Sequence, residues 1–288
     1  MLLSALCFAL INILVKVLTN SADLFPQIQE YPVFEIVFFR SIISLIICSA
    51  IIKRKRIPFF GNNKKWLLIR GFAGFTALTL FFFTLKNLPL AISISVQYLS
   101  PIFTILFAIR LQKEKVAPYQ WIFFFISLMG VVVIGYFKDP NLHFNPLWLG
   151  IGIVSAIISG IAYNAIMKCK DTDEPITVVM YFPLVATPLT FIACIIGGYV
   201  IPQGIEWLVL IGIGLLTQLA QISMTRAFHS DSAARVTPVK YVGAIYAVAA
   251  GVFIFDENLG LMTCIGIILI LCGVLLNTFI KSSRLTKS

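Results

Sequence analysis

The sequence predicts an all-α membrane protein: ten transmembrane helices in two inverted five-helix repeats, with both termini in the cytoplasm. Three observations predict it. The 288 residues are 59% hydrophobic and 12% charged, with a mean hydropathy of +0.97, which leaves too few polar groups to cover a soluble surface. Apolar runs close to the ~20 residues needed to span hydrocarbon recur from end to end. The chain also matches itself at an offset of 143 residues, the distance from Pro32 to Pro175.

The spans follow in order. Residues 2–18 form the first, closed by Lys16. This segment lacks a basic n-region and a small-residue cleavage site, so it reads as a mature helix rather than a signal peptide. Lys16 is two residues from its end, where a lysine extends to the headgroups. Residues 33–52 follow, carrying Glu35 and Arg40 and ending at the basic run Lys53–Arg56. The third span, 66–85, leads into 90–110, which holds Gln97, Tyr98 and Pro101. Residues 118–137 close the first half. The second half repeats the rhythm at 147–167, 176–199 (with Pro183 and Pro188), 206–226, 233–255 and 259–280. Prolines inside spans predict bends at Pro101, Pro183 and Pro188. No length remains for a soluble domain.

Charge sets the orientation. With the N-terminus inside, Lys53, Arg54, Lys55, Arg56, Lys64, Lys65, Arg70, Arg110, Lys113, Lys115, Lys168, Lys170, Arg226, Lys281, Arg284 and Lys287 all fall on the cytoplasmic side. Lys86 and Lys138 face outward with the acids Asp23, Glu30, Asp256 and Glu257. Such asymmetry is the positive-inside signature. It accounts for the formal net charge of +10 without nucleic acid, since phosphate binding needs a solvated basic face and none is spare. The run at 53–56 is a topology determinant and a contact for anionic membrane lipids. Six cysteines, Cys7, Cys48, Cys169, Cys194, Cys264 and Cys272, lie in spans or at the inner face without CxxC spacing. They read as apolar packers, neither disulfides nor metal ligands.

At the 143-residue offset Gly71 meets Gly214, Ala91 meets Ala234, Tyr98 meets Tyr241, Glu114 meets Glu257 and Gly130 meets Gly273. Before Pro32 the register shifts, and Ser4-Ala5 meets Ser155-Ala156. Helix punctuation thus coincides in halves 1–143 and 144–288. Five spans per half is odd, so the second half enters from the opposite face. Inverted repeats place a site near the bilayer midplane, between the halves.

Residues 88–114 read LPLAISISVQYLSPIFTILFAIRLQKE, and 227–257 read AFHSDSAARVTPVKYVGAIYAVAAGVFIFDE. With EIVFFRS at 35–41, the chain resembles the drug/metabolite transporter superfamily in its EamA-type branch of ten-helix, two-repeat carriers. The resemblance covers nearly the whole chain. It implies a transporter of small metabolites; the family is similar in fold while carrying amino acids, S-adenosylmethionine, riboflavin and other organic solutes, so the cargo stays open. Lys240, where the first half has Gln97, departs from the family pattern.

Lys240 is the most conspicuous candidate. At 1.5 Å per residue it lies about 12 Å inside the inner boundary, too deep to snorkel comfortably. It reads as an anchor for a carboxylate or phosphate on the cargo, or as a structural lysine paired with carbonyls at the Pro238 break. Arg40, about 10 Å below the outer boundary, either binds an anion bidentately or locks its helix to a neighbour's carbonyls. Glu35, five residues away, shares its face poorly. Gln97 and Tyr98, their repeat mates Lys240 and Tyr241, and the i,i+3 pair Gln218 and Gln221 are candidates for a cavity wall; amides in a bundle serve equally as glue between helices. Tyr163 and Asn164 are weaker candidates. Arg235 reads as interfacial. Glu114 and Glu257 read as carboxylates for exposed helix amides.

Enzymes need clustered acids, a metal set or an activated nucleophile. His143 and His229 fall in loops on opposite sides, and Asp171, Asp173 and Glu174 read as solvated loop residues. A membrane-embedded enzyme, such as a lipid-linked transferase, is therefore the alternative reading, and a channel lacks its charged ring or carbonyl filter. No ATP-binding loop or mid-depth carboxylate is present. Exchange or facilitated movement is expected as readily as proton symport. The expectation is a secondary transporter in the bacterial inner (cytoplasmic) membrane, working by alternating access on an anionic or zwitterionic metabolite such as an amino acid. No cofactor and no metal is expected. Direction and oligomeric state, a homodimer included, stay open. Lys240→Ala is expected to weaken cargo affinity in proteoliposome uptake by about tenfold or more; an unchanged affinity removes Lys240 from the site.

Overall fold

Apolar runs end at charges, prolines and glycines, and the helices do the same. The computed structural model describes residues 2–19, 27–111, 118–136, 145–230, 242–257 and 259–285. The helices are α1 (Leu2–Thr19), α2 (Val33–Lys55), α3 (Lys64–Asn87), α4 (Leu90–Gln97), α5 (Ser100–Leu111), α6 (Pro118–Tyr136), α7 (Leu147–Lys168), α8 (Pro175–Gly197), α9 (Glu206–Ser230), α10 (Val242–Phe253) and α11 (Leu261–Leu285). No strand occurs among the described residues. Seven helical segments there are long and apolar enough to cross a membrane, α4 and α5 counting together as Leu90–Leu111; shorter apolar stretches are Trp121–Ile134 and Leu261–Gly273.

The fourth span is not one smooth helix. Tyr98 and Leu99 form a turn, with Leu99 N–H donating to Val96 at 3.0 Å in an i→i−3 bond. Pro101, which has no N–H, then sits in the first turn of α5, where that loss is harmless. It opens a helix instead of bending one. Pro183 and Pro188 do lie inside α8.

At one end of the bundle the α2–α3 turn meets the α7–α8 turn. Asn63 N–H donates to Asp173 Oδ2 at 3.2 Å, Asn62 Nδ2 to the Thr172 carbonyl at 2.8 Å, and Tyr181 Oη to the Phe60 carbonyl at 2.7 Å. Asp173 is therefore buried and engaged with backbone, rather than a solvated loop acid. The opposite end gathers other termini. Tyr31 Oη donates to Glu206 Oε2 at 2.7 Å, and Val200 N–H donates to Glu35 Oε2 at 2.9 Å. Glu257 accepts the N–H groups of Leu90 and Ala91. It thus does for the amides of α4 what a carboxylate at a helix start is expected to do.

These contacts fix directions. α2 ends where α8 begins, and α1 and α3 end where α9 begins. Thus α2 and α8, α3 and α9, and α1 and α7 run in opposite senses. α6 and α11 are antiparallel too: a Cβ on Gly130 would meet the Gly266 carbonyl, and one on Gly273 would meet that of Phe123. Close backbone approach of this kind is how small residues join membrane helices. Extensive contacts pair α3 with α7, α2 with α8, and α6 with α11; α1 packs on α9.

Lys16 departs from expectation. It is 5% exposed, and its Nζ donates to the carbonyls of Leu85 at 2.9 Å and Leu88 at 2.8 Å. A lysine two residues from a helix end is poised for headgroups; here the last turn of α3 offers orphan carbonyls first. Lys16→Met is expected to destabilise the fold by roughly 1–3 kcal/mol, read as a lowered thermal midpoint in detergent. A snorkelling lysine would leave the midpoint unmoved.

Candidate functional site

Helices α1, α2, α3, α7, α8 and α9, the α4–α5 break and the start of α10 line a cavity of about 160 Å³. That is room for on the order of ten waters. Its polar lining comprises Asn12, Arg40, Arg70, Gln97, Tyr98, Ser100, Ser159, Tyr163 and Gln221. The apolar part includes Phe8, Phe81, Phe82 and Phe182. No carboxylate belongs to the lining among the described residues.

Arg40 is 1% exposed. Its guanidinium carbon lies 5.5 Å from the Phe82 ring centroid and 5.4 Å from that of Phe182. Nε and Nη2 have no hydrogen-bond partner among the described residues. The expected alternative, locking α2 to carbonyls, is thus not what those two nitrogens do. Two ring faces take the charge by cation–π attraction. Glu35 is occupied by Val200 and does not serve Arg40.

Arg70 was expected at the inner surface and is instead 3% exposed, within α3. Its guanidinium lies 5.9 Å from the same Phe182 ring. Nη2 donates to Gln221 Oε1 at 3.1 Å, while Nε has no partner among the described residues. Gly74, one helical turn on, leaves the guanidinium its space: a Cβ there would collide with Arg70 Nη1. The signal was available in the sequence, because Arg70 is the fifth residue of its own apolar span, 66–85, and a small residue follows at i+4.

Gln97 and Tyr98 line the cavity at the α4–α5 break. Gln97 is braced on α7, donating from Nε2 to Ser159 Oγ at 2.9 Å and accepting from Ser155 Oγ at 3.1 Å. The pair at 218 and 221 divides. Gln221 enters the cavity and orients Arg70, whereas Gln218 lies outside the lining, accepting from Ser44 Oγ and donating to Cys48 Sγ at 3.1 Å. Gln218 is glue between α9 and α2. Tyr163 lines the cavity, and Asn164 instead donates to the carbonyls of Thr104 and Gly160, both at 2.9 Å. Lys240 and Tyr241 lie outside the described residues, as do Arg235, Glu114 and His143. His229 is described, in the last turn of α9 rather than in a loop.

The model of the EamA-like transporter family matches residues 1–136 and 146–279. The chain is 29% identical to the pseudopaline exporter CntI of Pseudomonas aeruginosa over 269 residues, covering 93% of this chain and 90% of that protein. It is 22% identical to the S-adenosylmethionine uptake transporter of Rickettsia prowazekii over 248 residues, covering 84% and 81% respectively. A solved crystal structure superposes with a TM-score of 0.68 over 98% of both chains, at 19% identity.

Gln218→Leu is expected to lower stability by roughly 1–3 kcal/mol, since it leaves buried Ser44 unpaired. Ligand affinity should be untouched once folded protein is compared. Thermal unfolding alongside ligand titration separates the two effects.

Proposed function

The chain belongs to the EamA-like transporter family, and on that premise we propose that it carries a small organic anion or zwitterion by alternating access. The protein is an integral inner-membrane transporter of a family whose relatives move small molecules. One relative is named for export and the other for uptake, so no direction is proposed.

The observation that carries the cargo class is Arg40. A buried guanidinium with unpartnered donors lines a cavity whose described lining holds no carboxylate. A cationic cargo would meet uncompensated repulsion there, while an anionic group would complete the guanidinium's hydrogen bonds. Gln97, Tyr98, Gln221 and the phenylalanines contact the remainder. Lys240 and Tyr241 are proposed to join them, because Gly243, three residues beyond Lys240, lines the cavity. Gln218 holds α9 in place rather than touching cargo.

Support for alternating access comes from helix directions. Each of the pairs α1/α7, α2/α8, α3/α9 and α6/α11 joins residues near the 143-residue offset, and each pair runs in opposite senses. Two halves so related supply two packings of similar energy, open to opposite sides. Ala5, Tyr163 and Met224 bring the cavity within about two turns of the end bearing the α2–α3 turn. That turn carries the basic run 53–56, so the cavity leads toward the cytoplasm. Lys16, Glu257 and Glu206 tie the helix ends together on the other side.

The experiment is exchange in proteoliposomes. A thermal-shift screen against a metabolite library selects a stabilising solute. Its labelled form should then enter with saturable kinetics and be accelerated severalfold by unlabelled solute on the opposite side. Linear, non-saturable entry, or none, overturns the carrier reading.

A further inference from the structure

Two guanidinium groups share one aromatic ring in this cavity, and a single negative charge cannot neutralise both. Arg40 and Arg70 lie 5.4 Å and 5.9 Å from the Phe182 centroid, on helices α2 and α3. Both are nearly inaccessible to solvent, and three of their buried nitrogens, Nε and Nη2 of Arg40 and Nε of Arg70, are unpartnered among the described residues. Rings satisfy the faces of a guanidinium but leave its in-plane N–H edges open. Those edges are the ones that grip oxyanions in pairs.

We infer that Arg40 and Arg70 form a two-pronged site for an organic dianion, a molecule carrying two carboxylates or a carboxylate and a phosphate. This rests on the reading of the cavity as the cargo site, and it narrows that reading from one negative charge to two. A monoanion leaves one buried cation without a counter-charge, a state that low-dielectric surroundings penalise heavily. Two negative charges close the balance for this guanidinium pair. Gln221 supports the arrangement by accepting from Nη2 of Arg70, while the buried Nε keeps no partner among the described residues. Gly74 is the permissive residue, since any side chain there displaces the guanidinium. Phe8 and Phe81 on the remaining wall favour an organic body over a hydrated inorganic ion.

The test uses the full chain purified in detergent, with thermal midpoints followed at constant ionic strength. Probes are succinate and malate as organic dianions, inorganic phosphate, acetate as the monoanion and spermidine as the cation. Succinate or malate should raise the midpoint at concentrations where acetate and spermidine do not. Arg40→Gln and Arg70→Gln should each weaken half-saturation at least tenfold, and the double variant should abolish it. Gly74→Ala removes no charge and no donor, yet should weaken binding severalfold by moving Arg70; it serves where the glutamine variants do not fold. Dianions no better than acetate, a response to phosphate alone, or a response surviving in the folded double variant overturns the inference. The two readings fail separately. Dianions that bind without exchanging in liposomes sink the carrier and leave the site. Exchange of a cationic or neutral solute, indifferent to Arg40 and Arg70, sinks the site and leaves the carrier.

Discussion

A guanidinium taken into a helical bundle loses the water that stabilised its charge, and the loss is several kcal/mol even after the surroundings relax. Arg40 and Arg70 bear that loss without a carboxylate among the described lining residues, so much of the neighbourhood reads as compensation. Phe82 and Phe182 present ring faces, and Gln221 gives an amide oxygen. The cavity itself supplies room for water. That room exists because the walls carry small residues where helices would otherwise close: Gly74 and Ala77 on α3, Ser159 and Ala162 on α7, and Gly243 on α10. The position of the charges and the shape of the void are one constraint seen twice.

Charged residues nearer the bundle ends follow another logic. Lys16, Asp173, Glu206 and Glu257 each bind groups of a neighbouring segment, most of them backbone amides or carbonyls left open at helix ends. Helix termini in a membrane protein have few waters to turn to, so a side chain from across the bundle takes their place. Burial pushes the Glu257 carboxyl up from its ordinary value, against the opposing pull of the Leu90 and Ala91 amides and of Lys16. These residues are spoken for, which separates them from the open donors of the cavity.

This division explains what could be read from the sequence. Span positions were legible because hydrocarbon sets a length and charges mark its edges; apart from the start of the span expected at 233, which lies outside the described residues, the helix ends fall within about five residues of the expected places. The break at Tyr98 and Leu99 was not, because a proline in a span is compatible with a kink or with a fresh helix start, and only the hydrogen bonds decide. Arg40 was legible as a deep cation. Arg70 was concealed by its nearness to Lys64 and Lys65, which invited a surface reading even though its apolar neighbours placed it inside. Gln218 and Gln221 share a face only loosely: three residues turn a helix by about 300°, and the remaining ~60° sends one amide to Ser44 and the other to the cavity. Lys16 could not be distinguished from a snorkelling lysine without knowing that the carbonyls of Leu85 and Leu88 stand opposite.

The repeat and the site also obey different symmetries. At the 143-residue offset Arg40 corresponds to Pro183, and Arg70 to Ile213. Neither cation has a counterpart, although the helices that carry them do. Under the proposed inversion, the scaffold is symmetric enough to adopt two packings while the two guanidiniums belong to the first half alone. Arg40 keeps Phe82 from its own half, but the partners that touch Arg70, and the second ring on Arg40, come from the other: Phe182 from α8 and Gln221 from α9. In the proposed alternating access, a movement of one half against the other draws both guanidiniums away from Phe182, and Arg70 from Gln221. An empty cavity makes that movement costly, and an occupant that neutralises the cations removes much of the cost. Charge compensation between unlike halves thereby links occupancy to motion, which is the property a carrier requires and a static pore does not.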